Sequence, residues 1–241
     1  MVTIESKMAS SPLQDRIRRV LSRNGWFSRR PAELQARLIR HAQIKTVEAD
    51  NWLYDTGDEA HGLYGVLSGS VTTRVVLDNG ESAPINISGP GAIFGYAAQV
   101  LGGRRVTTTV TREPSEIIFV PQHALAAIAH DLPSLWLHFA ELATEQLVFA
   151  ARVIAERSLL DPRAQLASRL YVHALAWGGA REPVTLPIQQ EELAELLGLS
   201  RKTVNRILKA FEAEGLVATG YRSIQIIDPK GLHRIAMSRK E

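Results

Sequence analysis

The chain of 241 residues has no cysteine. That removes disulfides, zinc–thiolate sites, iron–sulfur clusters held by thiolates and thiol catalysis together. No apolar run approaches the roughly 18 residues of a membrane-spanning helix, and no segment reads as a secretory leader. A cytoplasmic chain with no membrane partner is the expectation. No nucleophile elbow, metal cluster, Walker loop or dinucleotide fingerprint is present, and the glycines sit at turns, so a non-enzyme is expected. None of the seven histidines has ligand-like spacing; His138 alone is kept in view as a haem ligand. Internal repeats and low-complexity segments are also missing.

The length admits two modest domains with a core each. The net charge of +3 is unevenly spread. Residues 1–45 carry ten Lys and Arg against three Asp and Glu, residues 46–161 six against fourteen, and residues 162–241 twelve against eight. A basic C-terminal third beside an acidic middle fits a nucleic-acid module attached to something else.

That module is legible in residues 189–217, QQEELAELLGLSRKTVNRILKAFEAEGLV. Leu193, Leu196 and Leu197 mark one short helix. Val204, Ile207, Leu208 and Phe211 mark a second, at i, i+3, i+4 and i+7. Gly198 suits a left-handed helix end and Ser200 an N-cap. On a helical wheel the apolar four span roughly 240–340° from Arg201, and Arg201, Lys202, Asn205, Arg206 and Lys209 span roughly 0–140°. An amphipathic surface helix with a solvated face is the commoner source of such a pattern. The turn chemistry, the short first helix and the absence of acid in the first two turns favour insertion into the DNA major groove. There cations meet phosphates, Arg forks onto guanine and Asn pairs with adenine. Val217–Ala218 and Ser223–Ile227 flank a turn ending at Arg222, the wing of a winged helix, with Arg222 facing phosphate.

Upstream, Leu13–Leu21 reads as a basic amphipathic helix, broken at Asn24-Gly25, and Pro31–His41 as a second. Residues 44–121 alternate Val/Ile/Thr-rich runs with turn signals, which suggests about eight antiparallel strands in a sandwich or roll. Val71–Leu77 with Asp78-Asn79-Gly80 reads as a hairpin. A long helix follows over 134–160. Leu135, Phe139, Leu142, Gln146, Phe149, Val153, Glu156 and Leu160 alternate by 4 and 3, a heptad seam. It serves either a fold on its own chain or a parallel homodimer, which two DNA half-sites favour. Asp161-Pro162 ends that helix and starts the next, which Gly178-Gly179 ends in turn.

The layout resembles the bacterial Crp/Fnr family of transcription regulators from about residue 25 onward. LLDPRAQLASRL and LPIQQEELAELLGLSRKTVNRILKAFEAEGLV carry the most specific likeness; Gly62–Val71, Gly89–Gly95 and Arg104–Thr107 carry a looser one. The resemblance implies an α+β chain: an N-terminal helical arm (1–43), an antiparallel, jelly-roll-like β-roll of cyclic-nucleotide-binding type (44–133), a long dimerisation helix (134–161) and a C-terminal winged helix-turn-helix (162–241). It also implies double-stranded DNA as partner, RNA polymerase as a candidate partner and a small-molecule effector. Gln189, Gln190 and Ser200 then position the DNA backbone.

The effector pocket implied by the family comprises Phe94, Gly95, Tyr96, Arg104, Arg105, Val106, Thr107, Ala150 and Ala151. In cyclic-AMP-binding members a glutamate follows Phe-Gly, a Ser follows the phosphate-binding Arg, and a Thr-Ser pair meets the adenine. Here Tyr96, Val106 and Ala150-Ala151 stand in those places. A ribose hydroxyl buried without its acceptor costs about 1–3 kcal/mol, so tight cyclic AMP binding is not expected. Either Arg104 and Arg105 hold another anion, or Tyr96 and the alanines close the pocket. Cofactors are therefore expected to be none, or an effector of another kind. The family helix usually reads Ser-Arg-Glu-Thr-Val-x-Arg. Lys202 replaces its glutamate, and Asn205 its frequent Gly or Ser, so the DNA half-site should differ. A ligand-independent architectural dimer and a true cyclic-nucleotide-responsive regulator remain the alternatives.

Overall fold

The computed structural model describes residues 11–23, 25–178 and 183–238. Residues 1–10, Asn24 of the expected helix break and the second glycine of Gly178-Gly179 lie outside them.

Three helices come first. Helix α1 (Pro12–Leu21) starts at Ser11, whose hydroxyl accepts the Gln14 N–H at 3.3 Å, and buries Ile17 and Leu21. Helix α2 (Gly25–Ser28) buries Trp26 and Phe27, and α3 (Ala32–Arg40) buries Leu34, Leu38 and Ile39. Eight strands follow, with one short helix among them: β1 (Gln43–Val47), β2 (Trp52–Tyr54), β3 (Gly62–Ser68), β4 (Val71–Val76), β5 (Ser82–Ser88), β6 (Ile93–Phe94), α4 (Ala97–Leu101), β7 (Thr108–Thr111) and β8 (Ser115–Pro121). They form two antiparallel sheets, ordered β1-β8-β3-β6 and β2-β7-β4-β5. The hairpin read at Asp78–Gly80 is present, with Val76 opposite Ser82.

Helix α5 (Gln122–Asp131) leads into the 26-residue α6 (Ser134–Leu159). Asp161 caps α7 (Pro162–Trp177) by accepting from the N–H groups of Arg163 and Ala164, with Pro162 in the first turn where its missing N–H costs nothing. Strand β9 (Val184–Leu186), helices α8 (Gln190–Leu197) and α9 (Arg201–Ala213), strands β10 (Val217–Gly220) and β11 (Ser223–Ile226), and α10 (Pro229–Met237) complete the winged helix-turn-helix. Its sheet runs β10-β11-β9. The apolar faces of α7, α8, α9 and α10 share one core with Leu186, Ile224 and Ile226.

The first half of the heptad seam of α6 is not a free face, and this corrects the assignment of Leu135, Phe139 and Leu142 to a dimer interface. Leu135, Phe139 and Leu142 are buried in their own chain's core with Trp26 and Leu125. Trp26 stacks on Phe139 at 6.2 Å. Gln146, Phe149 and Val153 line a cavity between α6 and the roll, and the Leu160 carbonyl accepts from Gln165 Nε2 at 2.9 Å. A heptad period records that a stripe is buried, not which chain buries it. A second stripe, Leu137, Ala140, Thr144, Leu147, Ala151 and Ile154, has the same spacing on the side away from the core, with Leu147 and Ile154 reaching the rim of the cavity. Its leucines and isoleucine are 61–69% exposed.

Truncating a fully packed leucine removes contacts and leaves a cavity. Leu142→Ala is expected to lower the unfolding free energy by about 2–5 kcal/mol in denaturant titrations. Loss of dimer with unchanged subunit stability would return Leu142 to an intersubunit seam.

Candidate nucleic-acid interface and effector pocket

The two helices of residues 189–217 are held by the turn chemistry expected of them. Gly198 ends α8 at φ 65°. A side chain there would be strained, and its Cβ would meet the Arg157 guanidinium. Ser200 caps α9, accepting the Thr203 N–H at 3.1 Å. Val204, Ile207, Leu208 and Phe211 face the core. Arg201, Lys202, Arg206 and Lys209 lie exposed on the other side. Arg201 has only a loose contact, 4.0 Å to the exposed Glu191. Among the described residues the other three make no ion pair.

Asn205 differs from these four. It is half-buried, and its amide donates to Gln190 Oε1 at 2.8 Å, tying α9 to α8. Its place is therefore that of a brace between helices. Gln189 lies beside the wing. With its amide turned to satisfy both groups, its oxygen accepts from Arg222 Nε at 3.2 Å and Nη2 at 3.0 Å. Arg222 sits at the wing tip with φ 52°, a left-handed conformation that costs a non-glycine residue about 1–2 kcal/mol. Glu212 at the end of α9 accepts from both the N–H (2.7 Å) and hydroxyl (2.6 Å) of Thr219 in β10. Those bonds hold its carboxyl below the usual carboxylate range. Helix, wing and entry strand are thus fixed together, presenting cations on one side.

The expected effector pocket is only partly assembled. Phe94, Gly95, Tyr96, Arg105, Val106, Thr107 and Ala150 line a cavity of about 1000 Å³ between the roll, α6 and α7. Arg104 lies outside it and donates to the Gly57 carbonyl at 2.7 Å. Ala151 points away, on the exposed stripe of α6. The Arg105 guanidinium is buried and largely occupied: Nη1 donates to Gly95 O at 2.7 Å and Nη2 to Gly62 O at 2.8 Å, while Nε has no partner. It also lies over the rings of Tyr54 (4.4 Å) and Tyr64 (5.2 Å). The half-buried Tyr96 hydroxyl is pushed up to about 12 by burial and stays protonated. The two readings of the pocket therefore divide. The alanines do not close it, yet its arginine is already engaged with the protein's own carbonyls.

His138 serves the N-terminal helices. Its Nδ1 lies 2.7 Å from Arg30 Nη1 and 3.1 Å from Glu141 Oε2, and its carbonyl accepts from Trp26 Nε1 at 2.8 Å. Among the described residues no group of three or more His, Cys, Asp or Glu could hold a metal ion. No described helix is long and apolar enough to cross a membrane.

Sequence reading missed two features. Arg112, after β7, crosses to the winged helix, where Nε donates to Glu192 Oε1 at 2.8 Å and Nη2 to the Pro187 carbonyl at 2.6 Å. An isolated arginine in a loop gives no sequence signal of that kind. Arg169, His173 and Trp177 line the cavity from α7. Their i, i+4, i+8 spacing was a usable signal, masked by the apolar stripe beside it.

A family model of the Crp-like helix-turn-helix domain matches residues 164–235, and one of the cyclic nucleotide-binding domain matches residues 44–131. The chain is 27% identical over 192 residues to the transcriptional regulatory protein btr of Bordetella pertussis, covering 78% of this chain and 79% of that protein. It is 26% identical over 220 residues to a CRP-like cAMP-activated global transcriptional regulator of Mycobacterium tuberculosis, covering 90% and 98%. The solved structure of FixK2 from Bradyrhizobium japonicum superposes with a TM-score of 0.70 over 83% of this chain and 99% of that one; at 19% identity it bears on the fold alone.

Burial, with the guanidiniums of Arg169 and Arg112 nearby, pushes His173 from 6.5 down to about 3. Between those values the unfolded chain binds a proton that the folded chain refuses. This contribution to stability is complete above pH 6.5 and is lost as pH falls toward 3. The unfolding midpoint should drop on acidification, and His173→Phe should flatten the drop. An unchanged slope in that variant would mean that the fold accommodates a protonated His173.

Proposed function

The chain belongs to the Crp/Fnr family of transcription regulators, and from that premise we propose that it acts as a homodimer on a palindromic DNA site, controlled by an effector other than cyclic AMP. The coarser statement, a transcription regulator with a helix-turn-helix DNA-binding domain, follows from the family itself. The observation that supports the DNA-contacting part of this reading is the basic side of α9. Four exposed cations stand there with one loose acidic contact, over a fully buried apolar side. Arg201, Lys202 and Arg206, in the first two turns, face base edges, while Lys209 and Arg222 face phosphates. Ser200, Gln189, Gln190 and Asn205 position the backbone contacts and brace the two helices. Lys202 favours guanine acceptors or phosphate over the cytosine donor a glutamate would accept from, so the half-site is this protein's own.

A second α6 pairs along Leu137, Ala140, Thr144, Leu147, Ala151 and Ile154. The support is an exposed heptad stripe with small residues that allow close approach. RNA polymerase is then met by loops of the DNA-bound dimer. Cyclic AMP is disfavoured by Tyr96, Val106, Ala150 and Ala151, and by the prior engagement of Arg105. No constellation for catalysis accompanies these features, and the relatives are named as regulators, so the reading is of a non-enzyme in the cytoplasm.

Arg206→Ala is expected to cost about 1–3 kcal/mol on the preferred site and to relax its base preference. Lys209→Ala should weaken binding evenly on all sequences and reduce the salt slope by about one. Fluorescence anisotropy on specific and random duplexes at several salt concentrations reads both. Equal losses by both variants on both DNAs would contradict this division of roles.

A further inference from the structure

Three buried nitrogens on residues lining the cavity have no partner: Arg105 Nε at the roll end, and Arg169 Nη1 and His173 Nε2 on the α7 side, where two stand together. Arg169 and His173 are only 4% and 2% exposed. One helical turn separates them, which places their Cβ atoms about 5–6 Å apart on the same side of α7. The charge of Glu156 acts on Arg169, but its hydrogen bonds go to Arg152 and Ser168, each at 2.8 Å. Two aromatic surfaces flank the pair. Arg169 lies over Phe149 at 5.6 Å, and His173 meets Trp177 edge-on at 5.5 Å. Five arginines line the cavity against one carboxylate, Glu145, which Arg29 already holds.

Buried donors are nearly always paired, and an unpaired guanidinium nitrogen in a basic, partly apolar recess is complementary to an anion. We propose that Arg169 and His173 form a second, anion-binding subsite at the joint between the roll and the winged helix, for a small organic carboxylate with an apolar or aromatic body. Arg169 Nη1 donates to one carboxylate oxygen, and the neutral imidazole donates from Nε2 to the other. The body lies along Phe149 and Trp177. The subsite is distinct from the Arg105 end of the cavity, where Nη1 and Nη2 are bound to Gly95 and Gly62 and only Nε is without a partner. It extends the effector control proposed above. Because α7 belongs to the DNA-binding unit, a ligand here touches roll and winged helix at once. Trp177 already abuts the roll: a Cβ on Gly89 would collide with its ring. Sodium benzoate is the matching probe, benzamide its neutral isostere and inorganic phosphate its compact counterpart.

The full-length protein is titrated with each at constant ionic strength. Binding is followed by calorimetry, by thermal shift and by the indole N–H signal of Trp177, assigned with Trp177→Phe. Saturable benzoate binding in the millimolar range is expected, with a moving Trp177 signal, at least tenfold tighter than benzamide and tighter than phosphate. Arg169→Met should weaken it tenfold or more, and Arg105→Met should leave it within about twofold. If Arg169→Met does not fold, the Trp177 signal of the wild-type protein decides alone. No benzoate binding, equal binding of benzamide, or loss in Arg105→Met with retention in Arg169→Met would overturn the proposal. None of these readouts uses DNA, so failure here leaves the DNA-binding proposal standing, and the reverse.

Discussion

The guanidinium of Arg112 joins the two halves of this molecule. One nitrogen donates to the Ser70 hydroxyl at 2.8 Å, inside the roll, and the others reach Glu192 and the carbonyl of Pro187 in the winged helix. Its side chain is only 9% exposed. Glu192 also accepts the Gln189 N–H at 2.6 Å, so the carboxylate that meets the roll also opens the first helix of the helix-turn-helix. The pair is half-buried, with the Glu192 side chain 27% exposed, so removing one member leaves the other charged and only partly hydrated. A contact of that kind, seconded by Arg74 with Glu195 at 2.5 Å, fixes where α8 sits on β4 and β5. The direction in which α9 points follows from it.

The rest of the architecture divides the work along α6. One side of that helix is committed to its own chain: Leu135, Phe139 and Leu142 close the core beneath the N-terminal helices, and Phe149 and Val153 wall the cavity. The other side carries exposed apolar residues, two of which, Leu147 and Ile154, also reach the rim of the cavity. A helix with one stripe inside and one outside conveys changes in the cavity to whatever lies on its far side, because packed helices shift as units. The cavity touches roll, α6 and α7 together. A molecule bound there has access to all three elements on which the orientation of the winged helix depends.

Much of this was legible in the sequence because the relevant signals are local. The caps at Asp161 and Ser200, the left-handed Gly198, the Asp78–Gly80 hairpin and the 3.6-residue period of α9 each depend on a few neighbouring residues, and each stands where it was expected. Helix α5 was missed although Ala124, Leu125 and Ile128 mark its buried side, because the segment between the strands ending at residue 121 and the long helix from 134 was left without an element. The seam of α6 was found, but its first half, Leu135, Phe139 and Leu142, is covered by its own chain, since periodicity carries no information on which surface covers a stripe. The bonds of Arg105 to Gly62 and Gly95, and of Arg112 to Glu192, join residues 10 to 80 positions apart. No local pattern encodes such pairings, and they decide how much of the family's nucleotide pocket is still available.

Selection of bound sites from random duplex DNA by the purified full-length chain tests the central claim most directly. The account predicts an enriched inverted repeat whose half-sites are centred about one helical turn apart, roughly 10 base pairs, with guanine prominent opposite Lys202 and Arg206. Recovery of unenriched sequence, with and without added small organic acids, would contradict it.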